Sequence, residues 1–398
     1  MGNIHNYEKT LAKVAKQYLG SDSPLYEEDK EDAQRFYTQL MAEGITQGRI
    51  TKYFYSMKTL STMLKKPLRN ANKSDIIQLV ADISASTRWA DWTKRDFKVF
   101  LRKYYKFLRG KDTEDVSWIK IKNSSKTLLP DDVLTEDEIK AIAINARTIR
   151  DRAFILCLYE SGTRVGEFLP LKMKNVAFDE YGAVLRVSGK TGDRRIRIVA
   201  STPALKDWLD SHPYKNDPEA YLWVHERVRG RDRYLTYGLI RKMLKEASQK
   251  ADIHKSVNPH AFRHARATFM ASTFTDRQMK EFFGWRKSDT ISTYTHLSGK
   301  SMDEAILKQH GITLNGSNGK PVISVKPCER CGQPNDPASK LCGKCYLPLD
   351  EPNKKALLDD YLFETLSALG EEFPHIKKRF TKIAEKKKYE GLFSEAKT

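Results

Sequence analysis

The first part of the chain repeats apolar positions three and four residues apart, the spacing of one helix face. Four segments show this spacing, and two end at or near Gly, a common helix terminus. They are residues 27–44, 50–66, 73–84 and 90–110. The pattern predicts a small all-helical domain over residues 1–115. The polar stretch that follows contains Asn and Ser and closes with Pro, which predicts a linker over residues 116–130.

The pattern becomes mixed after the linker. Thr135 and Glu138 have the spacing of a capping box, in which each side chain accepts a backbone N–H at the start of a helix. A buried helix, a Gly-containing turn and a short helix ending at Pro170 follow. Residues 183–200 alternate apolar and polar positions on both sides of "GKTGD", which is typical of a β-hairpin.

Helical patterns return from about residue 236 to residue 299, where Pro259 suits the first turn of a helix. The later parts are a larger domain (131–312), a second linker (313–324), a cysteine module (325–350) and a helical basic tail (351–398). The expected fold class is mainly α with a small β-sheet (α+β), and the helical domain precedes the larger domain and the small cysteine module.

Charge narrows the class of partner. Seventy Lys and Arg against 51 Asp and Glu leave a formal charge of +19, which favours nucleic acid over an anionic membrane surface. Residues 46–66 and 93–109 are basic helical segments and are therefore candidate DNA-binding helices. The sequence contains no apolar run of about 18 residues and no apolar signal-peptide core, so we expect a soluble, cytoplasmic protein without membrane contact.

Four of the five cysteines have the spacing C-x2-C-x10-C-x2-C. Cys328, Cys331, Cys342 and Cys345 suit tetrahedral zinc, and four thiolates leave no open coordination position, so we predict a structural zinc site that resembles a zinc ribbon. Disulfides and a redox pair are the alternatives. The fifth, Cys157, stands in an apolar run, which predicts a buried thiol.

Several short motifs carry residues that suit phosphate chemistry. They are Arg164 in "SGTRVGE", Lys190 in "GKTG", His260 and Arg263 in "HAFRH", Trp285 in "GW" and Tyr294 in "YTH". Taken singly, a basic residue near a helix start is usually a surface residue, and a basic helix face can bind phosphate without specificity. The combination is more informative, because all of the motifs occur in one chain with a large positive charge.

The order of these motifs resembles that of the tyrosine recombinase family, the phage-integrase and Xer-type enzymes. The resemblance covers about residues 135–299, and the N-terminal helices look like that family's core-binding domain. Trp285 stands where many members have His. The resemblance implies that residues 131–312 form a catalytic domain, and that its catalytic residues are Arg164, Lys190, His260, Arg263, Trp285 and Tyr294.

Phosphodiester cleavage by a side chain explains why these residue types occur together. Such a reaction needs a nucleophile, cations around the phosphate oxygens and an acid for the leaving oxygen. Arg164 and Arg263 suit the phosphate because a guanidinium is permanently charged and offers paired donors. Tyr294 is the candidate nucleophile, and with a phenol pKa near about 10 it requires activation.

The family resemblance implies the remaining roles. His260 would accept the proton of Tyr294, and Lys190 would act as general acid for the 5′ oxygen. Trp285 would pack in the site and donate an indole hydrogen bond to the phosphate. Glu167 is expected to orient Arg164 or a neighbouring group rather than to react. Neither ATP nor a catalytic metal is expected, because a covalent phosphotyrosine conserves the energy of the bond, and "GKTGD" lacks the upstream Gly of a nucleotide-binding loop.

The leading function is a site-specific DNA recombinase or integrase that works through a 3′-phosphotyrosine intermediate. A recombinase-derived DNA-binding regulator and a type IB topoisomerase are the alternatives. Double-stranded DNA is the expected partner, bound by a tetramer of protomers on two DNA sites during synapsis, with a monomer when free. The segment "SGKSMDEAILKQHG" looks like a tail helix that docks on a neighbouring protomer.

Overall fold

The computed structural model describes residues 7–121, 130–189, 192–225, 234–271, 273–286, 291, 294, 322–351 and 355. The chain divides into two compact units, residues 1–128 and 129–398. The finer domain boundaries expected from the sequence stay predictions. The predicted tail helix after Tyr294 and nearly all of the basic tail lie outside the described residues.

The described part of the first unit is all-helical, as the apolar spacing predicted. Its helices are α1 (Tyr7–Leu19), α2 (Glu27–Ala42), α3 (Gln47–Leu64), α4 (Lys73–Ala85), α5 (Asp91–Arg109) and the single turn α6 (Glu114–Ser117). Asn72 and Asp75 form a capping box at the start of α4, where each side chain accepts the other's backbone N–H.

Aromatic side chains fill the core of the first unit. Phe36 of α2 meets Tyr104 of α5 edge to face, with ring centroids 5.5 Å apart, and Phe100 stacks on Tyr104 at 5.3 Å. Val116 and Ile119 are buried in the same core. These two residues of the predicted linker therefore pack against the helices, because their apolar side chains gain stability by leaving water.

The second unit combines helices with a three-stranded antiparallel sheet. Its helices are α7 (Glu136–Ile144), α8 (Ile149–Ser161), α9 (Val165–Phe168), α10 (Thr202–Asp210), α11 (Tyr237–Lys250), α12 (Pro259–Ala271) and α13 (Asp276–Phe283). The sheet has the order β1 (Val176–Asp179), β2 (Gly182–Gly189) and β3 (Gly192–Ile198). The predicted α+β class is confirmed, as is the hairpin, in which Gly189 pairs with Gly192.

Two elements of this unit were not expected from the sequence. Strand β1 is short and mostly exposed, so it shows no clear alternation of apolar and polar positions. Helix α10 has nine residues, and after the hairpin further helices were expected only from about residue 236. In both cases the segment is too short for its periodicity to stand out.

Helix α8 is the centre of the second unit. Every residue from Ala153 to Ser161 is buried, so the helix is surrounded on all sides and has no exposed polar face. Cys157 lies on it with no exposed surface, as predicted, and burial raises the pKa of its thiol. The predicted capping box of α7 is also present, since Glu138 accepts the N–H of Thr135 at 2.8 Å.

The cysteines lie in a small β-rich segment, residues 325–350, which we call the four-cysteine module. Strands β4 (Lys326–Pro327) and β5 (Pro334–Asn335) pair antiparallel, and an isolated bridge joins Leu341 to Pro348. Across the part of the chain that the structure describes, no helix has the length and apolar character needed to cross a membrane.

Candidate active site

Helix α12 supplies three of the charged or titratable groups of the site. The side chain of Asn258 accepts the backbone N–H of His260 at 3.0 Å and of Ala261 at 3.2 Å, which fixes the start of the helix. His260, Arg263 and His264 follow within little more than one turn, so their side chains leave the helix close together. Pro259 begins this helix, as predicted.

Arg263 is anchored by backbone oxygens from two other elements. Its guanidinium donates to the carbonyl of Gly162 at 2.7 Å and to that of Phe283 at 2.8 Å, and it lies 5.0 Å from the centre of the Phe283 ring. Burial, and then the nearby Arg164, lower the pKa of Arg263. The group nevertheless keeps its charge, because an Arg starts from a pKa above about 12.

The turn that meets Arg263 requires a glycine. Gly162 ends α8 in the left-handed region, with φ +56°. A Cβ placed on it would lie 2.6 Å from the ring of Phe283, closer than side-chain atoms can approach. Gly162 therefore allows the close contact between the end of α8 and the end of α13 that positions Arg263.

Arg164 follows this turn and precedes α9. Its guanidinium bonds a carboxylate oxygen of Glu167 at 3.1 Å, which agrees with the expectation that Glu167 orients Arg164. Burial alone would raise the pKa of Glu167, but Arg194 and Arg164 together outweigh burial and lower it. About a third of the Arg164 side chain stays exposed, so its guanidinium is accessible to a ligand.

Arg194 of β3 was not singled out by the sequence, although it links the hairpin to this cluster. It bonds Glu167 at 2.6 Å and the carbonyl of Phe282 at 3.1 Å. On β2, a Cβ on Gly189 would lie 2.4 Å from a Glu167 oxygen, so the end of the hairpin closely approaches Glu167. Lys190, at the tip between these strands, lies outside the described residues.

Tyr294 is packed against an aromatic stack. Its ring lies parallel to that of Trp285 at a centroid distance of 5.3 Å, and Trp285 stacks on Phe283 at 4.6 Å. Only 4% of Tyr294 is exposed. Burial raises the pKa of its phenol, while Arg263 and Arg164 act in the opposite direction. The phenol is therefore protonated at neutral pH and needs a proton acceptor before it can react as a nucleophile.

The Tyr294 hydroxyl lies 2.7 Å from Nδ1 of His264. His260 was the expected acceptor of this proton, but the contact with the hydroxyl is made by its neighbour one turn further along α12. Burial, then His260 and Arg263, lower the pKa of His264, and burial, then Arg263 and Arg164, lower the pKa of His260. The i, i+4 spacing of the two histidines was a sequence signal that they share one helix face.

We use the name Tyr294 pocket for Arg164, Glu167, His260, Arg263, His264, Trp285 and Tyr294. A model of the phage integrase family matches residues 132–300, which include the whole pocket. The chain is 30% identical over 222 residues to tyrosine recombinase XerD of Lacticaseibacillus casei, a match that covers 53% of this chain and 74% of that protein. The chain belongs to the phage integrase family.

Further comparisons of this integrase-family chain agree with that membership. It is 29% identical over 282 residues to tyrosine recombinase XerA of Pyrococcus horikoshii, covering 69% of this chain and 92% of that protein. The crystal structure of XerH site-specific recombinase bound to palindromic difH substrate, a post-cleavage complex, has a TM-score of 0.55 at 17% identity. It covers 77% of this chain and 97% of that chain, which confirms the fold.

The basic segments singled out in the sequence form helices α3 and α5, which pack side by side in the first unit. Asp96 of α5 accepts hydrogen bonds from Arg49 at 3.5 Å and from Lys52 at 3.2 Å, both on α3. One carboxylate of α5 therefore pairs with two partly exposed cations of α3 and ties the two helices together.

The integrase also carries a group of thiols with the geometry of a metal site. The sulfurs of Cys328, Cys331, Cys342 and Cys345 all lie within 4.8 Å of one another. The Cys328 and Cys345 sulfurs are 3.5 Å apart, and the backbone N–H of Lys344 points at the Cys342 sulfur at 3.5 Å. These residues could hold one metal ion.

Proposed function

We propose that this chain is a site-specific DNA recombinase or integrase that cleaves and rejoins strands through a covalent 3′-phosphotyrosine, with Tyr294 as the nucleophile. The observation that carries the proposal is the environment of the Tyr294 hydroxyl. The hydroxyl bonds an imidazole and lies within the electrostatic influence of Arg263 and Arg164. A phenol next to a proton acceptor and two guanidinium groups suits attack on a phosphodiester.

In this proposal, Arg164 and Arg263 hold the scissile phosphate. The exposed guanidinium of Arg164 would contact the phosphate oxygens directly. Arg263 would contribute a fixed positive charge, because its backbone anchors prevent it from moving with the substrate. Preorganised charge of this kind stabilises a transition state without reorganisation during the reaction.

The other assigned roles follow the family resemblance. Lys190 would donate a proton to the leaving 5′ oxygen, and His260 would assist proton transfer near the phosphate. Trp285 would keep Tyr294 in place by stacking, and its indole N–H would bond the phosphate. Because the phosphotyrosine conserves the energy of the cleaved bond, a DNA 5′-hydroxyl can reverse the step without ATP or a catalytic metal.

The proposed substrate is double-stranded DNA in the cytoplasm. Residues 46–66 and 93–109 would bind the DNA, because their Lys and Arg side chains attract phosphates and release counterions, and Asp96 ties α3 to α5 so that both segments lie side by side. We also propose that the free protein is a monomer, and that four protomers assemble on two DNA sites during synapsis, as the family resemblance implies.

We propose that the four-cysteine module binds one structural zinc ion. Four thiolates close together suit tetrahedral zinc and leave no position for water or substrate. The ion would contribute folding energy to a segment whose strands β4 and β5 have two residues each. The module would then be a zinc ribbon without a part in strand cleavage.

A covalent adduct tests the proposed function. DNA fragments from the flanks of the protein's own gene are incubated with the protein and separated on denaturing gels. We expect an adduct whose position marks the cleavage site, and we expect Tyr294→Phe to abolish the adduct while it leaves DNA binding nearly unchanged.

The two alternative functions give different results in this experiment. A DNA-binding regulator would bind a fragment without an adduct. A type IB topoisomerase would form an adduct and relax supercoiled DNA without joining two sites. An adduct that persists in Tyr294→Phe would refute Tyr294 as the nucleophile.

A further inference from the structure

The contact between His264 and Tyr294 gives the second histidine of α12 a position that the recognised motifs do not assign. Nδ1 of His264 lies 2.7 Å from the phenol oxygen, well within hydrogen-bond distance. The two ring centroids are 5.8 Å apart, and the Tyr294 ring is held in addition by its stack on Trp285. The phenol can therefore donate its proton to His264 in this contact when Nδ1 of His264 carries no proton.

We infer that His264, and not His260, accepts the proton of Tyr294 during strand cleavage, an assignment that rests on the proposed function. In this step the Tyr294 oxygen forms a bond to phosphorus as the bond from phosphorus to the 5′ oxygen breaks. The phenol proton moves to Nδ1 of His264, and the 5′ oxygen takes a proton from the general acid, for which Lys190 is proposed.

Rejoining reverses each transfer. The 5′-hydroxyl attacks phosphorus and returns its proton to the deprotonated general acid. The bond from phosphorus to the Tyr294 oxygen breaks, and the protonated His264 gives its proton back to that oxygen. Protons and bonds balance over the two steps, and the enzyme ends in its starting state.

The surroundings of His264 suit a reversible acceptor. Its ring is half-buried, and the groups that act on it are His260 and Arg263 on its own helix and Tyr294 opposite. Burial and the two neighbours lower the pKa of His264, so its imidazole is neutral at neutral pH and can offer a lone pair. A proton placed there beside Arg263 is readily returned to Tyr294.

His260 is placed differently. The residue is more exposed than His264, and its ring centroid lies 6.2 Å from that of His264. Its backbone N–H is held by Asn258 in the first turn of α12. His260, next to Arg263, can reach a bound phosphate, whereas the contact with the phenol is made by His264. The two histidines therefore have separable roles.

Single-turnover cleavage over a range of pH tests the inference. The substrate is a DNA fragment that gives the wild-type adduct, and the variants are His264→Gln, His264→Ala and His260→Gln. The wild-type rate should level off above the pKa of His264. Both His264 variants should react about 10² to 10⁴ times more slowly at neutral pH, the usual contribution of a general base.

The pH profile separates proton transfer from a structural role. Without an acceptor, the rate in the His264 variants should keep rising with pH as more of the phenol ionises, whereas a packing defect would lower the rate equally at every pH. His254→Ala is the matched control, because this side chain is 90% exposed and should leave rate and profile unchanged. The inference is overturned if His260→Gln shows the continued rise and His264→Gln keeps the wild-type profile.

A DNA-free measurement distinguishes failure of this inference from failure of the proposed function. The ionisation of Tyr294 is obtained from ultraviolet difference titration against Tyr294→Phe, first in the wild type and then with His264→Ala. We expect the phenol pKa to change when His264 is removed, and an unchanged pKa would refute the contact. If the wild type forms no adduct on any fragment, the proposed function fails even when the titration reveals the contact.

Discussion

In the Tyr294 pocket the functional groups come from distant parts of the chain, whereas in the four-cysteine module they come from one short segment. Arg263 bonds a carbonyl 101 positions away, and His264 bonds a hydroxyl 30 positions away. In the module, Cys328 and Cys345 are 17 positions apart and still span the whole site. The pocket therefore depends on how several helices pack, while the module would depend on the one metal ion that we propose for its four thiols.

This difference predicts how each region fails. Loss of one contact in the pocket removes only part of its stabilisation, because Arg263 alone has two backbone anchors and an aromatic neighbour. Loss of the proposed metal ion from the module would remove most of what holds the module together, since two-residue strands contribute little. Perturbations of the two regions should therefore be separable by experiment.

Removal of the proposed zinc ion should have the largest effect of these changes, and it should destabilise only the module. Zinc contributes about 10–16 kcal/mol in small structural sites, so a chelator should unfold residues 325–350. Proteolysis should then cut the module, while the α8 amides of the second unit stay protected from hydrogen exchange. Cys342→Ser should behave like the chelated protein, with Cys157→Ser as the control for cysteine loss outside the module. A metal assay that finds no bound zinc would contradict the prediction.

Replacement of Arg263 should have the next largest effect, this time on the pocket. In Arg263→Lys the charge remains, but one ammonium cannot reproduce the two-pronged contact with the carbonyls of Gly162 and Phe283. We expect strand cleavage to slow by about 10² to 10³, the size of one lost transition-state donor. Arg277→Lys on the exposed side of α13 is the matched control. Equal rates in both variants would show that charge alone is sufficient.

The same comparison explains what the sequence could and could not reveal. Local periodicity predicted α5 and α12 because each is long enough to display its apolar face, and the apolar run of α8 predicted a buried helix. Cysteine spacing predicted the thiol group because its members are close in sequence. Arg194 and His264 were assigned no role, since their partners Glu167 and Tyr294 lie 27 and 30 positions away, and no local pattern encodes such pairs.

The order of the motifs predicted more residues of the Tyr294 pocket than the apolar periodicity did. The family resemblance implied that Arg164, Arg263, Trp285 and Tyr294 act together, and the structure places these side chains in one pocket. It could not say which of two histidines on one helix face meets the phenol, because that choice depends on how Tyr294 packs against Trp285. Side-chain packing of this kind is a property of the folded chain.

A smaller effect on the pocket is expected from Gly162→Ala. The left-handed backbone at Gly162 and the short approach to Phe283 should together cost about 1–3 kcal/mol, and cleavage should slow because the Gly162 carbonyl anchors Arg263. Gly44→Ala is the matched control, since Gly44 has φ +69° and no neighbouring atom within 4 Å of an added Cβ. Its cleavage rate should match the wild type. Equal slowing in both would refute the role of the close approach.

The smallest effect should be a loss of unfolding free energy that depends on Glu167 and appears only at acidic pH. Arg194 and Arg164 hold the pKa of Glu167 below its ordinary value of about 4.3. The stabilisation of the folded state by ionised Glu167 is therefore fully present above that value. It is lost as the pH falls through the lowered pKa, because the proton removes the charge that pairs with Arg194 and Arg164. Denaturant unfolding at pH 3 to 7 should show this loss in the wild type, and Glu167→Gln should lack it. Glu281 is exposed on α13, so Glu281→Gln is the control and should keep the pH dependence of the wild-type stability. If Glu167→Gln loses the same stability in acid, another carboxylate is responsible for that loss.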